Sequence, residues 1–290
     1  MTWKIGVIGG SGLYSIDALE GSRWVTVNSP WGAPSDALRM GTIAGIDFVF
    51  LPRHGRGHQV APGELNARAN IDVLKRAGCT DIVSISAVGS LSEAMAPGHF
   101  VIVDQFIDRT KARPSSFFGT GMVAHVSMAD PVCPRLSDLA ADAARAAGAT
   151  LHEQATYLAM EGPQFSTRAE SLLYRQWGAH VIGMTAMPEA RLAREAELPY
   201  ALVAMVTDYD CWREGEVHVD VAAVVAQLGS NAAAAGRMLT EFASALCAER
   251  SASPIDTNLD TALITSRDAR DPALLAKLDA VAGRAFRAGL

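Results

Sequence analysis

The stretch YALVAMVTDYDCW, residues 200–212, shows the pattern that sets the fold of this chain: an apolar run that stops abruptly at polar side chains. Residues 200–206 predict a strand that is apolar on both faces, as in a strand buried on both sides of a sheet. Thr207, Asp208 and Asp210 follow at once. Two carboxylates directly after a buried strand are costly unless something uses them, so this strand end is a candidate functional site.

The same pattern recurs along the chain, with helices between the strands. Further apolar strands are predicted at residues 3–10, 45–53, 81–90, 99–108, 155–162 and 180–185. Helical spacing predicts helices over residues 65–78, 135–148, 167–178, 187–197 and 220–250. Such alternation predicts an α/β domain in which helices cover a mostly parallel or mixed sheet.

The character of the sequence changes near residue 250. The stretch SASPIDTNLD (251–260) predicts a polar linker, and residues 271–290 predict a final amphipathic helix. We therefore expect a core domain over residues 1–250 and a C-terminal segment, 251–290, that packs on this core or on a neighbouring subunit.

Composition excludes several classes of protein. The formal net charge is -6 and no run of Lys or Arg stands out, so the electrostatic signature of a nucleic-acid-binding protein is missing. Four cysteines without a CxxC pair argue for reduced thiols in a cytoplasmic protein and against a zinc site. The first strand begins too early for a signal peptide, and no apolar stretch approaches the ~20 residues of a membrane span. We expect a cytoplasmic protein with neither a nucleic-acid nor a membrane partner.

The first three strand ends carry groups that suit an oxyanion. The stretch GGSGLY (9–14) offers the hydroxyl and backbone N–H of Ser11 in a glycine-rich turn, which fits a phosphate, although a plain tight turn explains it as well. Arg53 and His54 follow the second strand; Arg suits bidentate oxyanion binding, and the alternative is an exposed basic loop. Ser86 and the backbone of Ala87 are further donors. Together these strand ends predict one oxyanion site.

The later strand ends are ambiguous by themselves. Phe165 and Ser166 offer an aromatic face and a hydroxyl, or else a core residue and a helix N-cap. Met184, beside Thr185, is typical of core packing. Glu189 opens a helix, where it serves equally well as an acid of the first turn.

Taken in order, these segments resemble a known family. The motifs IGGSGLY, PRHGRGH, NARANIDVLKRAGC, SAVGSL, DQFIDRTKARPSSFF, HVSMADPVCP, MEGPQFSTRAES, WGAHVIGMTAMPEA and TDYDCW resemble, from about residue 4 to 250, the trimeric branch of the purine nucleoside phosphorylases, which includes the methylthioadenosine phosphorylases. The resemblance implies a single α/β domain whose central mixed sheet is partly closed into a distorted barrel flanked by helices. It also implies a pentosyltransferase of purine and methionine salvage that cleaves methylthioadenosine with phosphate, without metal or organic cofactor.

The resemblance implies a role for each candidate residue. The residues that it places around phosphate are Ser11, Arg53, His54, Ser86, Ala87 and Thr185. Those that it places around the base and ribose are Phe165, Ser166, Met184, Asp208 and Asp210. His125 matches a histidine that, in members of the family, contributes to the 5'-pocket of a neighbouring subunit. Independently of the resemblance, Val219, Ala222 and Ala223, near the predicted start of the helix over 220–250, offer the apolar lining that a 5'-methylthio group needs. The resemblance implies a homotrimer, and a hexamer built from two trimers stays open.

The opening pair of carboxylates then has a chemical role. Cleavage of the glycosidic bond places negative charge on the purine, so the leaving group needs a proton at N7. We expect Asp208 to supply it, with a pKa raised in part by the neighbouring Asp210. Acceptor carboxylates suit the 6-amino group of adenine, whereas an amide suits a 6-oxopurine. The alternatives are a 6-oxopurine nucleoside or methylthioinosine phosphorylase, a hydrolase, and a nucleoside sensor without catalysis.

Overall fold

The computed structural model describes residues 2–10, 13, 16–213 and 221–289, with the side chains of residues 221–225 left out. The described part of the chain contains strands β1 to β9 at Lys4–Gly9, Glu20–Val25, Leu38–Ile43, Ile46–Pro52, Asp81–Ser90, Phe100–Asp108, Leu151–Ala159, Val181–Gly183 and Tyr200–Asp208. Its helices α1 to α7 are Ala67–Arg76, Pro134–Ala146, Arg168–Gln176, Ala186–Glu195, Val221–Ala245, Pro272–Lys277 and Gly283–Arg287. Short 3-10 helices lie at Pro62–Glu64, Pro254–Thr261 and Arg267–Ala269.

The apolar strands form the centre of the sheet. β1 lies parallel between β4 and β5, and β9 lies parallel to β5. Ile5, Val7 and Ile8 of β1 are all buried, so both faces of this strand are covered. Because parallel strands end at the same edge, the polar residues that follow β1, β4, β5 and β9 are brought to one place.

Five strands close into a barrel. The sheet runs in the order β2-β3-β4-β1-β5-β8-β7-β6-β9, and an additional pairing joins β9 back to β5. β5–β8 and β6–β9 are antiparallel, whereas β6–β7 and β7–β8 are parallel. The expected single α/β domain with a mixed sheet partly closed into a barrel is confirmed.

Two strands were not expected from the sequence. β2 and β3 form an antiparallel extension that pairs with β4. β2, with the sequence EGSRWV, is mostly exposed at the end of the sheet. The central strands were predicted from continuous apolar runs, which mark strands covered on both faces. An exposed edge strand lacks such a run.

Helices cover both faces of the sheet, as predicted. Ile71 and Leu74 of α1 share one hydrophobic cluster with Leu192 of α4. Residues of α2 and α5, among them Leu136 and Phe242, belong to a second cluster. α5 begins as expected and ends at Ala245.

The C-terminal segment differs from the expectation in two ways. The predicted helix over 271–290 is two short helices, α6 and α7, and the residues between them include Leu278 and Val281, which are buried in the core. The break between α6 and α7 lets apolar side chains on different sides of this segment pack into the same hydrophobic cluster. Residues 251–260 are not a loose linker, because Ser253 caps a 3-10 helix whose Ile255 and Leu259 are buried. The division of the chain at residue 250 stays a prediction.

Two further expectations concern cysteines and membranes. All four cysteines fall within the described ranges, and each is a free thiol. Among the described residues, no helix combines the length and the apolar character needed to cross a bilayer.

Candidate active site

A cavity of about 1220 Å³ opens where the strands end. It is lined by residues at or just beyond the carboxyl ends of β1, β4, β5, β7, β8 and β9. α5 adds Leu228 and several small residues, namely Gly229, Ala232, Ala233 and Gly236. The convergence of strand ends predicted from the sequence is therefore present.

Most of the predicted site residues line this cavity: Arg53, His54, Ser86, Ala87, Phe165, Met184, Thr185, Asp208 and Asp210. Ser166 is not among the lining residues; its hydroxyl lies 3.7 Å from Sδ of Met160. His125 is exposed and does not line the cavity of its own chain. Its backbone N–H donates to the carbonyl of Ala262.

The remaining predicted residues cannot be placed. Ser11 and Val219 lie outside the described residues, and Ala222 and Ala223 belong to α5 where side chains are not described.

Arg53 is held firmly by the protein. It directly follows β4, its backbone N–H donates to Gly9 at the end of β1, and its side chain is 2 % exposed. Nε lies 3.1 Å from Oε2 of Glu189, and Nη1 lies 2.9 Å from the carbonyl of Ile85. Burial alone would lower the pKa of Arg53, but the Glu189 carboxylate raises it above its ordinary value. Arg53 therefore stays charged inside the cavity wall.

His54 is neutral near pH 7. Burial lowers the pKa of its imidazole to about 4, with help from the charges of Arg53 and His58. Nδ1 lies 2.8 Å from the carbonyl of Val60, which can only accept, so Nδ1 carries the proton and Nε2 keeps its lone pair. The ring stacks on His58 with centroids 4.2 Å apart. His54 can therefore accept a hydrogen bond from a ligand but adds no charge.

Two hydroxyls meet beside these groups. Oγ of Ser86, on β5, lies 3.4 Å from Oγ1 of Thr185, which precedes α4. Thr185 occupies the N-cap of α4, yet its side chain makes no capping hydrogen bond. Its backbone N–H instead donates to the hydroxyl of Tyr157. This position leaves the Thr185 hydroxyl available to a ligand.

The two carboxylates after β9 differ in their surroundings. Oδ2 of Asp208 accepts from Oγ1 of Thr207 at 2.7 Å, and Oδ1 accepts from the backbone N–H of Asp210 at 2.8 Å. Oδ2 of Asp210 is buried without a hydrogen-bond partner among the described residues. Asp210 also has a φ of 52°, in the left-handed region that non-glycine residues seldom adopt. A buried acceptor of this kind, facing a cavity, suits a ligand donor.

Burial raises the pKa of both carboxyls. For Asp208 the cause is burial, opposed by the hydrogen bonds from Thr207 and Asp210. For Asp210 burial is the main cause and the charge of Asp208 adds to it, whereas the nearby hydroxyls of Ser171 and Ser166 oppose the rise. The raised pKa of Asp208 agrees with the expectation, with burial as its main cause, and repulsion within the carboxyl pair contributes at Asp210.

Sequence reasoning missed three residues that shape the site. A Cβ on Gly89 would lie 3.0 Å from Oδ1 of Asp208, so glycine leaves the room that this carboxylate occupies. Arg113 donates to the carbonyls of Met184 and Glu161, each at 2.5 Å, and so ties together the chain segments that follow β7 and β8. Glu189 is the partner of Arg53, although its place at a helix start suggested only a first-turn acid. Such partnerships leave no local signal in the sequence.

Comparison with known proteins identifies the family. Residues 4–244 match the model of the phosphorylase superfamily. The chain is 60% identical to S-methyl-5'-thioadenosine phosphorylase of Cereibacter sphaeroides over 99% of this chain and 100% of that protein. It is 57% identical to the protein of the same name from Bradyrhizobium diazoefficiens, over 98% of each chain.

Solved structures give the same result. The crystal structure of a methylthioadenosine phosphorylase from an Antarctic soil metagenomic library superposes with a TM-score of 0.92 at 46% identity, covering 97% of this chain and 99% of that one. A methylthioadenosine phosphorylase from Schistosoma mansoni in complex with adenine has a TM-score of 0.78 at 38% identity, covering 84% and 91%. The chain therefore belongs to the phosphorylase superfamily, together with the S-methyl-5'-thioadenosine phosphorylases.

Proposed function

We propose that this chain cleaves S-methyl-5'-thioadenosine with phosphate to give adenine and 5-methylthioribose 1-phosphate. Membership of the superfamily makes it an enzyme of the pentosyltransferase type. The observation that carries the proposal is that one cavity is lined both by a half-buried pair of carboxyls with raised pKa and by a buried arginine beside two hydroxyls. The first group suits a purine leaving group, and the second suits an oxyanion.

The phosphate end is built mainly from neutral donors. Ser86 and Thr185 offer hydroxyls, Ala87 offers its backbone, and His54 accepts from a protonated phosphate oxygen. Arg53 supplies one charged N–H group, and we extend the phosphate site to Ser11 on the strength of the family resemblance. These groups orient phosphate and stabilise charge without a covalent intermediate.

The base end is built around Asp208 and Asp210. Asp208, in its protonated form, donates to N7, and Oδ2 of Asp210, which has no hydrogen-bond partner among the described residues, accepts from the 6-amino group. Phe165 provides an aromatic face, Ser166 a hydroxyl on the same loop, and Met184 the floor beneath the ribose. An acceptor carboxylate that faces the 6-amino group supports adenine over a 6-oxopurine.

The chemical step balances with phosphate as the second substrate. The C1'–N9 bond breaks with its electron pair moving to the purine, and a phosphate oxygen forms the new bond to C1'. The proton that Asp208 gives to N7 is replaced by the one that hydrogen phosphate releases. The proposed step needs neither a metal nor an organic cofactor.

The test is turnover of methylthioadenosine and methylthioinosine, each with and without phosphate, followed by release of the free base. We expect adenine release that requires phosphate and a clear preference for the 6-amino substrate. Release without phosphate would make the enzyme a hydrolase. A preference for methylthioinosine would support the alternative of a 6-oxopurine or methylthioinosine phosphorylase.

We further propose a cytoplasmic homotrimer in which His125 completes a neighbour's 5'-pocket, alongside Val219, Ala222 and Ala223 of that neighbour. The exposure of His125, away from its own cavity, supports this assignment. The exposed Leu172, Leu173 and Trp177, on and just after α3, give the chain an apolar surface that another subunit can cover. Light scattering of the purified protein distinguishes a trimer from a hexamer and from a monomer.

A further inference from the structure

Glu189 is a buried carboxylate beside the cavity, and the proposed chemistry leaves it without a role. It lies in the first turn of α4, and its residue is 4 % exposed. Isolated ionised carboxylates are not tolerated at such burial, so its partners decide what it does.

Four hydrogen bonds converge on this carboxylate. Oε1 accepts from Oγ of Ser84 at 2.6 Å, from the hydroxyl of Tyr200 at 2.8 Å and from Nη2 of Arg53 at 3.3 Å. Oε2 accepts from Nε of Arg53 at 3.1 Å. Arginine can only donate, so the two oxygens that face it act as acceptors, as an ionised carboxylate does.

Hydrogen bonds to the protein engage most of the N–H groups of Arg53. Beyond its bonds to Glu189, Nη1 donates to the carbonyl of Ile85, and Nη2 donates to Oγ of Ser84 and the carbonyl of Ile8. A guanidinium has five N–H groups. One hydrogen of Nη1 is thus left without a partner among the described residues.

We propose that Glu189 is a positioning residue for the phosphate site. It fixes the Arg53 guanidinium so that one Nη1 hydrogen faces the oxyanion, and it balances the charge of Arg53. This inference rests on the proposed phosphorolysis and deepens it. It implies that the protein groups of the phosphate site carry little net charge, since Glu189 neutralises Arg53 and His54 is neutral. Phosphate is then recognised by the direction of donors rather than by an excess of positive charge.

The test compares Glu189→Gln with Glu195→Gln. Glu195 lies on the same helix, is similarly buried at 6 % exposure, and accepts from Ser116 and the N–H of Phe117 rather than from a cavity residue. Glutamine keeps the size of glutamate but turns an N–H group toward one donor, which releases one side of Arg53. For each variant, KM for phosphate and KM for methylthioadenosine are measured separately, and circular dichroism checks the fold.

We expect Glu189→Gln to raise KM for phosphate by about 10-fold to 100-fold, as expected for loss of a charged hydrogen bond, with KM for methylthioadenosine changed less than about 2-fold. Glu195→Gln leaves both constants near the wild-type values. If Glu189→Gln does not fold, Ser84→Ala replaces it, because Ser84 contacts both Arg53 and Glu189; we expect a rise in phosphate KM of about 3-fold to 10-fold.

Two outcomes would overturn this inference and leave the proposed function standing. One is an equal rise in both KM values, and the other is an unchanged KM for phosphate in Glu189→Gln or, if that variant does not fold, in Ser84→Ala. Either would show that Glu189 only supports the fold. A wild-type enzyme that releases adenine without phosphate would overturn the proposed function and this inference together. The wild-type measurement therefore separates the two.

Discussion

At the scale of single residues, the proposed catalytic acid is Asp208. Burial raises the pKa of this carboxyl, and a proton donor to a purine must hold its proton near neutral pH. In the proposed mechanism the protonated form is the active one, so we expect kcat/KM for methylthioadenosine to fall as pH rises through the raised pKa. A pH–rate profile of the wild-type enzyme tests this expectation, and a profile without a descending limb would contradict it.

Asp208→Asn removes the transferable proton and keeps the size of the side chain. We expect kcat to fall by about 10²-fold to 10⁴-fold, the usual contribution of general acid catalysis. Asp210→Asn is the matched variant; asparagine tolerates the left-handed backbone of this position, so we expect a higher KM for methylthioadenosine and a smaller loss of kcat. Equal losses of kcat in the two variants would contradict the assignment of the acid.

The pKa of His54 can be measured as well. The pKa of its imidazole is lowered from 6.5 to about 4 by burial, so folding favours the neutral ring. The stability that this group contributes is complete above pH 6.5 and is lost as pH falls toward 4. We expect an NMR titration of His54 to show no protonation between pH 6 and 8, assigned with the variant His54→Gln. A midpoint near the ordinary value would mean that the ring is solvated.

At the scale of elements, α4 carries two buried glutamates with separate tasks. Glu189 pairs with Arg53, whereas Glu195 at the other end binds Ser116 and the N–H of Phe117 and so anchors the segment after β6. Burial raises the pKa of Glu195 from 4.5 to about 7. A carboxyl with a raised pKa favours the folded state most at low pH and progressively less as pH rises from 4.5 to 7.

The free energy of unfolding should therefore decline over this range in the wild type. The full effect corresponds to about 3 kcal/mol, and the variant Glu195→Gln should lack this part of the decline. Urea denaturation at intervals from pH 5 to pH 8 measures both proteins. Identical slopes for the two would contradict the raised pKa of Glu195.

At the scale of the whole molecule, the C-terminal segment is joined to the core by a charged network. Asp81, at the start of β5, is fully buried and accepts from Arg250 and Arg135. Arg250 also binds Asp256 of the 3-10 helix at Pro254–Thr261. Farther on, Arg284 binds Glu197 and Asp260. The segment therefore contributes both charges and apolar side chains to the core.

Arg250→Met removes the centre of this network and leaves Asp81 only partly compensated. We expect a loss of about 3 kcal/mol in the free energy of unfolding, because a buried charge without its partner is strongly destabilising. The control is Arg145→Met, which breaks an exposed pair with Asp142 and Glu153 and should cost less than about 1 kcal/mol. Chemical denaturation compares the two, and equal small losses would show that the network is dispensable.

The sequence alone determined the local features of this protein. Apolar runs followed by polar residues located the central strands and the residues at their ends, because burial on both faces and the common edge of parallel strands act on nearby residues. Nine of the predicted site residues line the cavity for this reason. The helices between the strands followed from their spacing in the same way.

Only the tertiary structure decided which distant groups meet. The pairing of β5 with β9 closes the barrel. Arg53 forms an ion pair with Glu189, although 136 positions separate them in the sequence. Gly89 makes room for Asp208, and the C-terminal helix breaks so that Leu278 and Val281 can reach the core. Each of these depends on packing between segments that are remote in the chain, and a local pattern of residues carries no record of such contacts.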